Sequence, residues 1–279
     1  MNNKETKFKK FVRISYNKVK GSKIPKFSHR NSPKKFTQHQ HMAICLIKKR
    51  LKNMPYRDLV EIMAEMPFIC EILGLREIPQ YTTIQKFFQR FDEKEFLLLI
   101  EIYTTNIVAI DGTGFHSYSS KHYEFVLHRK KPYQKLAIGI DTSNQKIQSV
   151  YTCHGYSHDT NSFIPLLKPL SAKTVVADKG FDSNKNRNFA KSIKIKPVIP
   201  YKEMNELLAS MNEHIDKVYH RRSLVETVFS VIKRKFGDYT YSRNYANLRK
   251  EMFLTALTYN IYVETRYCAL RFSTKPQIV

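Results

Sequence analysis

The sequence predicts an α/β protein: a mixed five-stranded sheet with flanking helices, preceded by a small all-helical domain. Three observations carry that expectation. Residues 36–103 place apolar side chains at helical spacing. From residue 106 the pattern changes to short apolar runs, several of which end on an aspartate. Those runs come three in series and then alternate with helical segments. Strands arranged that way call for a mixed sheet with helices on its faces.

In the helical part, Thr37 suits the N-cap of a helix carrying Ile44, Leu46, Ile47 and Leu51. Pro55 suits the first turn of a second, with Leu59, Val60, Ile62, Met63 and Met66. A third, short helix runs to Leu73 and ends at Gly74. Thr82 or Thr83 caps a fourth, which buries Ile84, Phe87, Phe88 and Phe91. Its other face shows Gln85, Lys86, Gln89 and Arg90. Two readings of that face stay open: a DNA-reading helix, as in a helix-turn-helix, or the polar side of an ordinary amphipathic helix.

In the sheet part, Asn106–Ile110 reads as a buried strand ending at Asp111, and Leu136–Ile140 as a second ending at Asp141. Ile147–Cys153 alternates and makes a third. A helix with Phe163, Ile164, Leu166 and Leu167 follows, capped by Asp159 or Asn161. Thr174–Ala177 is a fourth strand, ending at Asp178. A basic helix over 184–192 leads to a fifth, Ile193–Ile199, and residues 246–268 form a last helix.

Composition narrows the function. There are 48 Lys and Arg against 24 Asp and Glu, a formal net charge of +24. Such a field draws polyanions, and nucleic acid fits because neutralised phosphates release counterions. A merely soluble basic protein or an anionic membrane surface would also suit the charge. Residues 1–35 hold 12 Lys and Arg and one acid, Glu5, and read as a flexible basic arm or a solvated leader. The four cysteines have no short paired spacing, which fits a reducing cytosol. No run approaches the ~18 apolar residues of a membrane span. The expectation is a cytoplasmic, nucleoid-associated protein.

Asp111 and Asp178 each follow an apolar strand directly. Ligands gather beyond the carboxyl ends of such strands. Either aspartate alone is as readily a turn former. Together they present the hard oxygen ligands that Mg²⁺ favours. A pair of such ions ~3.5–4 Å apart stabilises the attacking and leaving oxygens of a phosphodiester. The stretch from Tyr219 to Lys233 is more specific. Read as one amphipathic helix at about 100° per residue, it sets Tyr219, Arg222, Glu226 and Lys233 within an arc of roughly 60°. Leu224, Val225, Val228, Phe229, Val231 and Ile232 take the other side. A surface ion-pair ladder would explain Arg222 and Glu226 at i, i+4. It would not explain the Tyr and Lys that extend the stripe.

Tyr219-x2-Arg222-x3-Glu226-x6-Lys233 matches without a gap the signature of prokaryotic insertion-sequence transposases of families four and five. Ala-Ile-Asp111-Gly-Thr-Gly resembles their first-acid motif, and Val-Val-Ala-Asp178-Lys-Gly-Phe-Asp182 their second. Pro55-Tyr-Arg-Asp-Leu and Tyr81-Thr-Thr-Ile resemble the N-terminal domain of the family-five type. The resemblance covers roughly residues 36–265. It implies an RNase H-like fold, with Asp111, Asp178 and Glu226 as catalytic metal ligands for two Mg²⁺ or Mn²⁺ ions. It implies that Tyr219, Arg222 and Lys233 contact the transposon end. The implied chemistry is hydrolysis at the element end, followed by attack of the freed 3′-OH on target DNA, with no covalent protein–DNA intermediate. Double-stranded DNA is then the partner, as end repeats and as target, and joining two ends admits a homodimer. Asp178 and Glu226 stand 48 positions apart, too close for the large β-rich insertion of some relatives. Whether the cut passes through a hairpin is therefore open.

The expected organisation is a basic arm over 1–35, a helical DNA-binding domain over 36–103, an RNase H-like catalytic domain over 104–270 and a frayed tail over 271–279. A non-catalytic DNA-binding protein, and a nuclease of the same fold that cuts without joining, are the alternatives to an active transposase.

Overall fold

The computed structural model describes residues 5–31, 34–117, 134–202, 210, 212 and 217–271. The expected tail lies outside them from residue 272 on. Its contacts divide the chain into two compact units, Met1–Leu99 with Phe253–Val279, and Ile100–Met252.

The first unit is helical. Its first helix, α1 (Lys7–Lys20), falls in the segment expected to be a basic arm. Phe11, Val12, Ser15 and Val19 recur at helical spacing and are buried, while Lys7, Lys9 and Lys20 are exposed. Thr6 accepts the Lys9 N–H at 3.2 Å and caps the helix. Thus the segment has a packed face that its lysines obscure. Then come α2 (Gln38–Arg50), α3 (Tyr56–Glu65), α4 (Pro67–Leu73), α5 (Tyr81–Arg90) and α6 (Glu93–Leu97). Thr37 caps α2 in a capping box with Gln40. Gly74 ends α4 with a left-handed φ of 61° that suits glycine. α5 starts two residues earlier than expected, directly after Pro79 and Gln80, so neither Thr82 nor Thr83 caps it. Its Ile84 and Phe88 are buried, and Gln85, Lys86, Gln89 and Arg90 are exposed as expected. Val12, Ala43, Ile44, Ile47, Leu59, Met63, Ile69, Leu73 and Ile84 form one core.

The second unit is a mixed sheet with helices. Its strands are β1 (Thr105–Ser117), β2 (Gln134–Asp141), β3 (Ile147–His154), β4 (Ala172–Ala177) and β5 (Lys196–Val198). The order across the sheet is β3-β2-β1-β4-β5. β1, β2 and β3 pair antiparallel, whereas β4 joins β1, and β5 joins β4, in parallel. This is an RNase H-like arrangement. β6 (Tyr239–Thr240), which the sequence pattern did not announce, pairs with the far end of β1. Helices α7 (Thr160–Leu167) and α8 (Asn184–Ser192) pack on one face, where Phe163, Leu166 and Ala190 meet Val108, Ile110, Val175 and Ala177. Helix α9 (Ser223–Phe236) lies against β1 and buries Val225, Val228, Phe229 and Ile232.

The last helix, α10 (Tyr245–Arg271), is divided between the two units at Met252. In the second unit, Tyr245 stacks on His154 at 4.2 Å and Arg249 donates to Thr152 at 3.0 Å. In the first, Phe253 stacks on Phe96 and Glu264 pairs with Lys18 at 3.0 Å. The α/β unit therefore ends well before residue 270, because Phe253 and Glu264 find their partners in the helical unit. Among the described residues, no helix is long and apolar enough to cross a membrane.

Candidate active site

β1 places the first acid. The apolar run stops at Ile110, but the strand continues to Ser117, because β2 pairs with it as far as Phe115. Asp111 therefore sits inside a long strand and not at its end. What ends beside it is β4. Ile110 is in register with Ala177, the last residue of β4. The next residues, Asp111 and Asp178, emerge side by side. Side chains alternate along a strand. Val108 and Ile110 point at α7, so Asp111 points to the face that carries α9.

Each aspartate is anchored by the residue after it. The Gly112 N–H donates to Asp111 Oδ1 at 2.8 Å, and the Lys179 N–H to Asp178 Oδ1 at 2.8 Å. Asp178 opens a 3-10 turn, Lys179–Phe181. Ser183 caps the next helix, accepting from the Asn186 N–H. Asp182 pairs with Arg187 at 2.8 Å and accepts the Lys202 N–H.

The Tyr219–Lys233 stretch is not one α-helix. Lys217–Arg222 is a 3-10 helix, and α9 begins at Ser223. The Ser223 hydroxyl donates to the His220 carbonyl at 2.9 Å, which suits the tighter winding. The stripe survives the change. Residues three apart eclipse in a 3-10 helix, aligning Tyr219 with Arg222, and Arg222 then reaches Glu226 at i, i+4. Lys233 lies over the Phe115 ring, 5.7 Å from its centroid.

Arg222 is the hub of this group. Its Nη2 is 2.8 Å from Glu226 Oε1, its Nη1 is 3.9 Å from Asp111 Oδ2, and it is hydrogen-bonded to Tyr219. Burial works against its charge, yet Glu226, Tyr219, Asp178 and Asp111 together hold its pKa above the ordinary value. Burial pushes the Asp111 carboxyl up to about 6. The Gly112 N–H and Arg222 pull it down, while Asp159 and Asp178 push it further up. Burial also raises Tyr219, which keeps its phenol protonated.

The structure thus brings Asp111 and Asp178 together and links Asp111 to Glu226 through Arg222. It does not draw Asp111, Asp178 and Glu226 into one cluster. Glu226 is exposed and turned to Arg222, and among the described residues no group of three acids, histidines or cysteines is placed to hold a metal ion. The donor set itself suits a hard cation. Asp111 and Asp178 each keep one oxygen on a backbone N–H and have a second to offer; burial is the main cause of the raised Asp111 pKa, and the neighbouring carboxylates Asp159 and Asp178 add to it. Sequence reading overlooked a further carboxylate here, Asp159, whose Oδ1 is 2.5 Å from Lys135 Nζ.

A mixed sheet in this order, flanked by helices, is of the RNase H-like class. Residues 103–261, more than half of the chain, match the transposase DDE domain, and the protein belongs to that family. A comparison with curated proteins gives no match.

Proposed function

We propose that the protein is an insertion-sequence transposase that hydrolyses a phosphodiester at each element end and joins the freed 3′-OH to target DNA. One observation carries the reading. Two aspartates that directly follow the last β1–β4 pair share a face with Arg222 of the 3-10 turn and with α9, which brings Glu226 and Lys233. Asp111, Asp178 and Glu226 are the assigned metal ligands, for two Mg²⁺ or Mn²⁺ ions. Such ions supply Lewis-acid stabilisation of the reacting phosphate oxygens.

The chain's own residues do the positioning. Gly112 and Lys179 fix the rotation of the two aspartates. Arg222, held by Tyr219 and Glu226, presents a guanidinium beside Asp111 where a scissile phosphate would lie. Lys233 on α9 adds a second cation, over the Phe115 ring. For Glu226 to serve as a ligand it must leave Arg222, and a DNA phosphate taking over that guanidinium would release it. Tyr219 is a DNA contact and not a nucleophile. The helical unit, with Gln85, Lys86, Gln89 and Arg90 exposed on α5, is assigned the recognition of end repeats. Joining two ends favours a homodimer.

The test is incubation of the pure protein with Mg²⁺ and DNA carrying the element's flanking inverted repeats. Defined 3′-OH ends at the repeat boundaries, and joined products with target DNA, are expected. Cuts scattered without regard to the repeats would point to a nuclease of the same fold. Binding without any cut would point to a non-catalytic DNA-binding protein.

A further inference from the structure

Asp159 stands at the start of α7, yet its carboxylate does not cap that helix. An aspartate in this position ordinarily accepts an N–H of the first turn. Here the backbone is already helical, with φ −59° and ψ −35°, and the side chain is used elsewhere. Oδ1 pairs with Lys135 Nζ at 2.5 Å, and Lys135 also donates to the Ser157 carbonyl at 3.3 Å. A Cβ placed on Gly112 would stand 3.4 Å from Asp159 Oδ1 and 3.1 Å from Lys135 Cε. A Cβ placed on Gly180 would stand 3.4 Å from Asp159 Oδ2. One carboxylate oxygen therefore faces each glycine. Those glycines follow Asp111 by one residue and Asp178 by two. Strand alternation puts Gly112 on the α7 face, so Asp159 sits behind the acids and not among them.

We propose that Asp159, braced by Lys135, is a positioning residue, a spacer between Gly112 and Gly180 that sets the separation of Asp111 and Asp178. A two-ion site tolerates little variation in that separation. The consequence for metal binding rests on the assignment of Asp111 and Asp178 as ligands; the spacing itself does not.

The test uses the full chain with Asp159→Ala, Asp159→Asn and Lys135→Met. Two quantities are measured without DNA: Mn²⁺ affinity by electron paramagnetic resonance, and amide exchange of the segments 109–114 and 177–182. Removing the support of a metal ligand typically weakens binding by ~10–100-fold. A loss of that order is expected for Asp159→Ala and Lys135→Met. Asp159→Asn, which keeps the shape and loses the ion pair, should lose less. Exchange should quicken at least fivefold in the two segments while β2 and β3 stay protected, which a general loss of stability would not produce. Mn²⁺ affinity and exchange within twofold of wild type would overturn the proposal. Should Asp159→Ala not fold, Asp159→Asn and Lys135→Met decide by the same two quantities. Should the wild type bind no Mn²⁺, the ligand assignment fails, and exchange alone decides the spacing.

Discussion

Asp111 keeps its proton until about pH 6, because burial and two neighbouring carboxylates outweigh Arg222 and the Gly112 N–H. In an unfolded chain the same carboxyl titrates near 3.8. The native state therefore binds the extra proton between those values. This contribution to stability is present below about pH 4 and is lost as pH rises through 6. The gap between the two values sets a ceiling of about 3 kcal/mol on it. Subtracting the stability curve of Asp111→Asn from that of the wild type, without metal, should show this decline; a flat difference would mean that Asp111 is not so perturbed. Mn²⁺ affinity should rise with pH across the same window and level off above it. Asp159 belongs to this scale as well. Its local pattern suits a helix cap, a role that does not point to the β1–β4 edge. Its neighbours there, Gly112 and Gly180, are distant in the chain, so no local pattern connects them.

Among the elements, legibility followed the range of the interactions that define them. The boundaries of α8 and the capping of α2 by Thr37 rest on local hydrogen bonds, and the sequence pattern found both. β1 runs seven residues past its apolar core because β2 and β6 pair with that extension, which only the folded chain reveals. The 3-10 turn before α9 is accompanied by a serine hydroxyl bond to the His220 carbonyl, too small a signal for a periodicity of 3.6. In α1 the lysines hide a face that α2 covers. Gly139 offers a check on the sheet itself. It lies opposite Ser149, and a Cβ there would come within 2.5 Å of Ser149 Oγ and 3.2 Å of Leu170 Cδ1. Gly139→Ala should lower stability by roughly 1–3 kcal/mol, read as a shifted urea midpoint. A change below about 0.5 kcal/mol, the size of a neutral surface substitution, would contradict this packing of β2 against β3.

For the whole molecule, the net charge of +24 should make DNA binding steeply dependent on salt. Lys233→Ala should weaken binding and reduce the log–log salt slope by about one, the loss of a single phosphate contact. An unchanged slope would take Lys233 off the DNA. The division of α10 at Met252 has its own consequence. A chain truncated after Met252 loses Phe253 and Glu264, the partners of Phe96 and Lys18, and should destabilise the helical unit first. Exchange measured across α1 and α6 would report it, and protection equal to that of the full chain would contradict it. The central claim is that Asp111, Asp178 and Glu226 hold the metal that cuts DNA. Glu226 is the acid that reaches Asp111 only through Arg222. Cleavage of repeat-ended DNA by Glu226→Gln in Mg²⁺ or Mn²⁺ tests the claim most directly. The variant should bind that DNA as the wild type does and leave it uncut; cleavage at the wild-type rate would remove Glu226 from the site.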